Sequence, residues 1–251
     1  MLTLVTVTTA PWAHIVFDLF AWTSGGLLGF VLYRWRLRGQ TATIAGQING
    51  FYFLALAVGT GCGAWAAGSI NTLQDQAAPA LSHSIVGALV GAIVAVELYK
   101  RVRGIAGSTG TVFVGSFALG VVIGRLGCLF TGLSDRTFGT PTSLAWAVDL
   151  GDHIGRHPVQ IYEAISMAVF LVAYLVGLAQ RRDWALRRGF YALAVVYGAQ
   201  RFVWEFLKPY PTLVGPLNLF HLMCAGLVVY GIVYWRADLV RARCGNHDSA
   251  A

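Results

Sequence analysis

The sequence is poor in charged residues and has none of the usual cofactor motifs. Charged residues make up 12% of its 251 residues, whereas 57% are hydrophobic, values far from those of a soluble globular domain. Its four cysteines show no spacing typical of a zinc or haem site, and it has no glycine-rich nucleotide loop. We therefore expect neither a metal nor a cofactor. Residues 1–12 contain no basic residue ahead of an apolar core, so no cleavable signal peptide is expected.

Apolar stretches long enough to cross a bilayer, which takes about 17–25 residues, recur along the chain. They cover 14–33, 48–68, 84–100, 111–130, 159–179, 190–207 and 213–235. Seven such stretches leave no room for a separate soluble domain. The sequence therefore predicts an all-α integral membrane protein of about seven transmembrane helices, with a single domain over residues 1–251. The third and fourth stretches are the least hydrophobic or the richest in glycine, so a bend or a break is expected there before it is expected in any other stretch.

The distribution of basic residues predicts the orientation. Four dense clusters each follow an odd-numbered stretch, and the positive-inside rule makes the face that they share cytoplasmic. The N-terminus is then outside and the C-terminus inside. The net charge of +7 follows from this bias and suits anionic lipid headgroups, so no nucleic-acid partner is expected. The clusters are Arg34, Arg36 and Arg38; Lys100, Arg101 and Arg103; Arg181, Arg182, Arg187 and Arg188; and Arg236, Arg241 and Arg243.

Two arginines interrupt apolar stretches in the opposite, external half of the protein. Arg125 lies within 112–133 and Arg201 within 190–207. A guanidinium in hydrocarbon costs at least a few kcal/mol, so it usually faces a bundle interior or a wet cavity. It keeps its charge and offers a planar fork of donors that suits phosphate. The pair indicates a site for an anionic substrate such as a phospholipid; alternatively, each arginine is a structural ion-pair partner.

The longest polar segment, 132–157, is external in this topology. Gly139, Pro141 and Gly151 mark turns, and a loop of this length in so compact a protein is usually functional or disordered. Trp146 favours a short element at the membrane interface over disorder. Pro158 suits the first turn of the next helix, which leaves free N–H groups near residues 156 and 157. Both residues also fit a solvated helix start.

Four motifs occur in a fixed order. Gly-Arg-Leu-Gly-Cys at 124–128 is followed by Phe-Gly-Thr-Pro-Thr at 138–142; then come Arg-His-Pro-Val-Gln-Ile-Tyr-Glu at 156–163 and Tyr-Gly-Ala-Gln-Arg-Phe-Val-Trp-Glu-Phe at 197–206. This series resembles the signature of bacterial prolipoprotein diacylglyceryl transferases. The resemblance covers most of 83–207 and implies a seven-helix enzyme of the bacterial inner membrane.

The chemistry that the resemblance implies is transfer of a diacylglyceryl group from phosphatidylglycerol to the lipobox cysteine in the signal peptide of a prolipoprotein. The product is a thioether, and glycerol phosphate leaves. By motif position, Arg125 and Arg201 are implied to be catalytic. Tyr197, Arg201 and Glu205 share one helical face, so Glu205 would orient Arg201 and Tyr197 could bond a substrate oxygen. The remaining motif residues implied to contact substrate are Gly124, Gly127, Cys128, Gly139, Arg156, Gln160, Tyr162 and Glu163.

The sequence also departs from the family pattern. Many members have a histidine where this chain has Val86, often an asparagine where it has Cys128, and often a glutamate where it has Leu133. The base that would activate the thiol is therefore open between His83 and His157, and either could instead be a structural histidine.

Two rival functions stay open at the level of sequence. One is a paralogue with the same fold and phospholipid site but another acceptor. The other is a non-catalytic phospholipid-binding membrane protein, in which the two arginines hold a headgroup without chemistry. Retention of Tyr197, Arg201 and Glu205 favours an enzyme, whereas loss of the family histidine favours the rivals.

Overall fold

The computed structural model describes residues 5–39, 48–74 and 81–248, with side chains as far as residue 242. Seven helices of 17 residues or more and one short helix lie within these ranges. A π-helical turn, Tyr33–Leu37, extends the first helix, and 3-10 turns, Thr111–Phe113 and Gly132–Asp135, flank the fourth. The helices are α1 Ala13–Leu32, α2 Gly50–Leu73, α3 Ile85–Arg103, α4 Val114–Thr131, α5 Val159–Ala179, α6 Asp183–Arg187, α7 Gly189–Glu205 and α8 Leu219–Asp248.

Five of these helices are long and apolar enough to cross a membrane. They correspond to Ala13–Leu37, Gly50–Leu73, Thr111–Asp135, Val159–Ala179 and Leu219–Ala242. The remaining two long helices are less suited by themselves, because α3 ends in the basic cluster at 100–103 and α7 is only 17 residues long. The chain is therefore a mostly helical, multi-pass membrane protein, as the sequence predicts.

Three of the four closely packed helix pairs are consecutive in the chain, and the fourth joins α1 to α4. α2 packs along α3, α1 along α4, α4 along α5, and α7 along α8. The contact between α2 and α3 depends on glycine, since a Cβ at Gly63 would lie 2.3 Å from the carbonyl oxygen of Gly87. Small residues allow such close approach of membrane helices. The expected break in the third and fourth stretches is wrong, because α3 and α4 are each continuous, and the glycines Gly87 and Gly91 of α3 face α2 instead of interrupting the helix.

A three-stranded sheet of two-residue strands covers one end of the helices. Its strands are β1 Val5–Thr6, β2 Val148–Asp149 and β3 Gly155–Arg156; β1 is parallel to β2, and β2 is antiparallel to β3. The loop 132–157 is further held by two backbone bonds of Thr140, whose N–H donates to Leu207 and whose carbonyl accepts from His157. This loop therefore lies where α4 and α7 end and α5 begins.

Candidate active site

Five charged side chains are buried together at the loop-covered end of the helices. They come from α4, from the first turn and a half of α5, and from the end of α7 with the residues that follow it. All are between 1% and 5% exposed. They are Arg125, Glu163, Arg201, Glu205 and Lys208, and we call them the charge network.

Glu163 is the common partner of the three basic groups. Arg201 Nη1 donates to both of its carboxylate oxygens at 3.0 Å, and Lys208 Nζ donates to Oε1 at 2.6 Å. Arg125 Nε forms an ion pair with Oε2. One carboxylate on α5 thus fixes cations that come from α4, from α7 and from the segment after α7.

Glu205 is the second acidic residue of the network and lies one turn after Arg201 on the same helix. Arg201 Nε lies 3.1 Å from Glu205 Oε2, without the alignment of a hydrogen bond, and Lys208 Nζ lies 3.7 Å from the same oxygen. Asn218 Nδ2 donates to Glu205 Oε1 at 3.3 Å. The guanidinium of Arg201 is therefore flanked by carboxylates from α5 and from its own helix.

The charge network has an excess of positive charge. Three cations face two carboxylates, so its formal charge is +1 (3 − 2). Buried charge is costly unless it is paired and hydrogen-bonded. A ligand with one negative charge, such as a phosphodiester, would neutralise the network, and guanidinium groups are the donors best suited to its oxygens.

Neutral polar groups without a partner lie close to these residues in sequence. The hydroxyl of Tyr197 is buried one turn before Arg201, with its ring edge-on to Phe117 at 5.1 Å. Among the described residues, this hydroxyl and both side-chain polar atoms of Gln160 and of Gln200 have no hydrogen-bond partner. Because buried polar groups are almost always bonded, these atoms are suited to a polar ligand.

Lys208 was not among the residues singled out from the sequence as site residues. It follows Glu205 by three residues, so helical periodicity could have placed it on the same face. Burial and the positive charge of Arg201 together lower the pKa of its ammonium group to about 8, although Glu163 and Glu205 act in the opposite direction. Lys208 can therefore change its charge close to neutral pH.

Asn218 and His221 were also missed by sequence reasoning. The backbone N–H of Asn218 donates to His221 Nδ1 at 3.1 Å, and the His221 ring packs edge-on against Phe202 at 5.0 Å. Both residues are buried at the start of α8, where Asn218 bonds Glu205 and His221 bonds Asn218. Sequence alone gave no signal for this pair.

Aromatic residues form a rim beside the network. Trp146 Nε1 donates to the hydroxyl of Tyr162 at 2.7 Å, and the Tyr162 ring lies 5.1 Å from that of Trp204 and 6.4 Å from that of His157. His157 is half-buried, and its Nδ1 has no partner in the part of the chain that the structure describes. An imidazole with a free nitrogen therefore stands at the start of α5.

Gly139 and Arg156 hold the loop in shape. A Cβ at Gly139 would lie 2.3 Å from the carbonyl oxygen of His157, so only glycine fits. Arg156 donates to Asp152 at 2.6 Å and lies over the ring of Phe138 at 5.2 Å, and this hydrogen bond holds the pKa of Asp152 below its usual value. The structure thus pairs Arg156 within its own loop and not with the charge network.

The remaining predicted residues are placed as follows. His83 is exposed in the segment before α3, whereas Val86 is buried. A Cβ added at Gly124 would have no neighbouring group of the described chain within 4 Å. A Cβ added at Gly127 would lie 2.6 Å from Phe17 of α1. Cys128 is buried where α4 meets α1.

Comparisons with known proteins give matches over most of the chain. Residues 20–237 match the model of the prolipoprotein diacylglyceryl transferase family. The chain is similar to proteins named phosphatidylglycerol–prolipoprotein diacylglyceryl transferase from Methylococcus capsulatus, at 28% identity over 62% of this chain and 61% of the relative. A protein of that name from Cupriavidus metallidurans is 30% identical over 66% of this chain and 62% of the relative. Another, from Bordetella bronchiseptica, is 32% identical over 57% of this chain and 53% of the relative.

These matches span about three fifths or less of the length of the curated relatives. No solved structure matches the chain.

Proposed function

This chain belongs to the prolipoprotein diacylglyceryl transferase family, and from that premise we propose that it transfers a diacylglyceryl group from phosphatidylglycerol to the lipobox cysteine of a prolipoprotein. The observation that carries this proposal is the buried charge network with its formal charge of +1. Phosphatidylglycerol presents a single negative charge on its phosphodiester, which matches that excess.

The transfer exchanges one bond at the diacylglycerol carbon that bears the phosphate. The sulfur of the acceptor cysteine forms a bond to that carbon, and the carbon–oxygen bond to phosphate breaks. Glycerol phosphate leaves with the bonding electrons, and the thiol proton passes to a base. Negative charge grows on the departing phosphate, so fixed cationic donors in a water-poor site stabilise the transition state more than the ground state.

The arginines and the glutamates of the network have different roles in this scheme. Arg125 and Arg201 donate to the phosphate oxygens, and Glu163 and Glu205 hold the two guanidinium planes in place before the lipid binds. Such preorganisation avoids reorganisation during the reaction. The buried hydroxyl of Tyr197 donates to a phosphate or ester oxygen.

The proposal includes the placement of the chain in the membrane. All seven long helices span the bacterial inner membrane as one domain over residues 1–251, with the N-terminus outside and the C-terminus in the cytoplasm. The charge network then lies near the external face, because α4 and α7 run outward and α5 begins there. The basic clusters lie at the other ends of the helices, where the positive-inside rule puts them.

The deciding experiment incubates the purified protein in lipid nanodiscs with phosphatidylglycerol and a lipobox peptide. Mass spectrometry is expected to show a diacylglyceryl adduct on the peptide cysteine, and glycerol phosphate is expected in equal amount. A peptide with serine in place of cysteine and an Arg201→Lys enzyme are the controls. Glycerol phosphate release without a peptide adduct would indicate another acceptor, and lipid binding without turnover would indicate a non-catalytic protein.

A further inference from the structure

A second cluster of chemically active side chains lies where α1 meets the end of α4. It consists of His14 in the first turn of α1, Cys128 in the last turn of α4, and Asp135 at the end of the 3-10 turn after α4. One ligand atom from each of the three lies within 4.8 Å of the other two. His14 Nε2 lies 3.0 Å from Asp135 Oδ1. None of the three belongs to the charge network.

His14 and Asp135 are each oriented by a further hydrogen bond. The other ring nitrogen of His14, Nδ1, lies 2.8 Å from Asp18 Oδ2, one helical turn away. The second carboxylate oxygen of Asp135 accepts a hydrogen bond from the hydroxyl of Thr137. With the proton on Nδ1 bonded to Asp18, a metal ion would displace the proton that Nε2 donates to Asp135 and would take the lone pair of Nε2.

We propose that His14, Cys128 and Asp135 bind a zinc ion. Imidazole nitrogen, thiolate sulfur and carboxylate oxygen are the three ligand types that zinc takes in proteins, at about 2.0–2.3 Å, so tetrahedral ligand atoms lie roughly 3.3–3.5 Å apart. Movements of about an ångström would bring the three atoms to that spacing. A carboxylate on the far ring nitrogen is the usual outer partner of a zinc-bound histidine, and Asp18 occupies that place.

The site would join parts of the chain that are otherwise far apart in sequence. Zinc would fix the start of α1 to the end of α4, beside the turn that leads into the loop 132–157. With three protein ligands, a fourth position remains for water or another ligand. The His14 side chain is 40% exposed, so the ion can enter from the surface. The simple alternative is a metal-free ion pair of His14 with Asp18 and Asp135.

Cysteine protection tests the site on the unmodified protein. Metal-stripped protein in detergent is treated with a small alkylating reagent, with and without equimolar Zn²⁺, and each cysteine is quantified by mass spectrometry. We expect Zn²⁺ to slow alkylation of Cys128 at least about tenfold and to leave exposed Cys62 unchanged. Equal rates at Cys128 with and without Zn²⁺ would overturn the proposal.

Metal content and a spectroscopic probe add an independent test. After dialysis against micromolar Zn²⁺ the protein is expected to keep one equivalent, and Co²⁺ in its place should show the near-ultraviolet charge-transfer band of a thiolate ligand. His14→Gln, Cys128→Ser and Asp135→Asn each remove a ligand and should each abolish retention of this equivalent. The matched controls are His153→Gln and Cys224→Ser, which change the same residue types elsewhere. Retention that is equal in ligand and control variants would show that the metal binds elsewhere.

Discussion

Arg201 Nη1 on α7 donates to both carboxylate oxygens of Glu163 on α5, at 3.0 Å each. The same carboxylate also accepts from Lys208 and pairs with Arg125. Removing one partner of a buried ion pair leaves an uncompensated buried charge, which costs much more than the net value of the pair. The arrangement of the whole network therefore depends on Glu163.

Glu163→Gln is expected to inactivate the protein and to destabilise it. The substitution keeps the shape of the side chain but leaves three buried cations facing one carboxylate. We expect a loss of about 3–5 kcal/mol in the free energy of unfolding, measured as a lower midpoint of thermal unfolding in detergent. Asp183→Asn is the matched control, because that carboxylate is 57% exposed and its partner Arg188 keeps a second ion pair with Asp238. Equal midpoints for the two variants would contradict this role of Glu163.

Arg125→Lys and Arg201→Lys are expected to lose most of the transfer activity. Both keep the positive charge but lose the planar fork that bonds two phosphate oxygens at once. Removal of one such donor from a transition-state site typically lowers kcat by about a hundredfold to a thousandfold. Arg236→Ala, at an exposed position of α8, should be nearly silent in the same peptide assay. Full activity of both lysine variants would show that the geometry of the guanidinium group has no role in catalysis.

Phosphatidylglycerol binding is expected to weaken as the pH rises through about 8. The pKa of Lys208 is lowered to about 8 by burial, so the ammonium is charged at pH 6.5 and neutral at pH 9.5. Its deprotonation takes the formal charge of the network from +1 to 0 and removes the attraction for the phosphodiester. Titration with the lipid in nanodiscs at several pH values measures the change. Lys208→Arg cannot titrate in this range, so it should bind equally at both pH values, and a parallel decline in that variant would assign the effect to another group.

His157 is expected to accept the proton of the acceptor thiol. A cysteine thiol with a pKa of about 8.5 is mostly protonated at neutral pH, so transfer gains from a base. His157→Ala should lose rate at pH 7 and recover partly at pH 9, where more thiolate forms unaided, and lipid binding should survive because the arginines are intact. His83→Ala is the comparison, since His83 is exposed in the segment before α3. A wild-type pH–rate profile in both variants would leave neither histidine as the base.

The orientation can be tested with single cysteines in a variant that lacks the native ones. Leu144→Cys, in the loop 132–157, should react with a membrane-impermeant thiol reagent added to intact cells. Ala106→Cys, at an exposed position between α3 and α4, should react only in inverted vesicles. The positive-inside rule gives this result because Ala106 follows a basic cluster. The reverse pattern would place the charge network on the cytoplasmic side.

The local sequence was sufficient for much of the fold and for the two arginines. Apolar stretches of the right length predicted the seven long helices, because a helix in lipid must satisfy its backbone internally and present apolar side chains outward. Arg125 and Arg201 stood out because charge within such stretches is costly. The spacing of Tyr197, Arg201 and Glu205 also placed them on one helical face, as the structure has them.

Tertiary structure decided which charges meet. Periodicity shows which residues share a face of one helix, but not which faces of distant helices pack together. Glu163 became the common counter-ion of Arg125, Arg201 and Lys208 only because α5 packs along α4 and against α7. Arg156 also belongs to one of the family motifs, but it pairs with Asp152 in its own loop and not with the network.

The cluster of His14, Cys128 and Asp135 shows the same limit most clearly. More than a hundred residues separate His14 from the other two, so no ligand spacing is visible in the sequence. The three side chains meet because the start of α1 packs against the end of α4. Composition and periodicity determined that this chain forms membrane helices and that two of their apolar stretches contain an arginine. Helix packing alone determined the partners of each charged group, because that depends on contacts between segments that are distant along the chain.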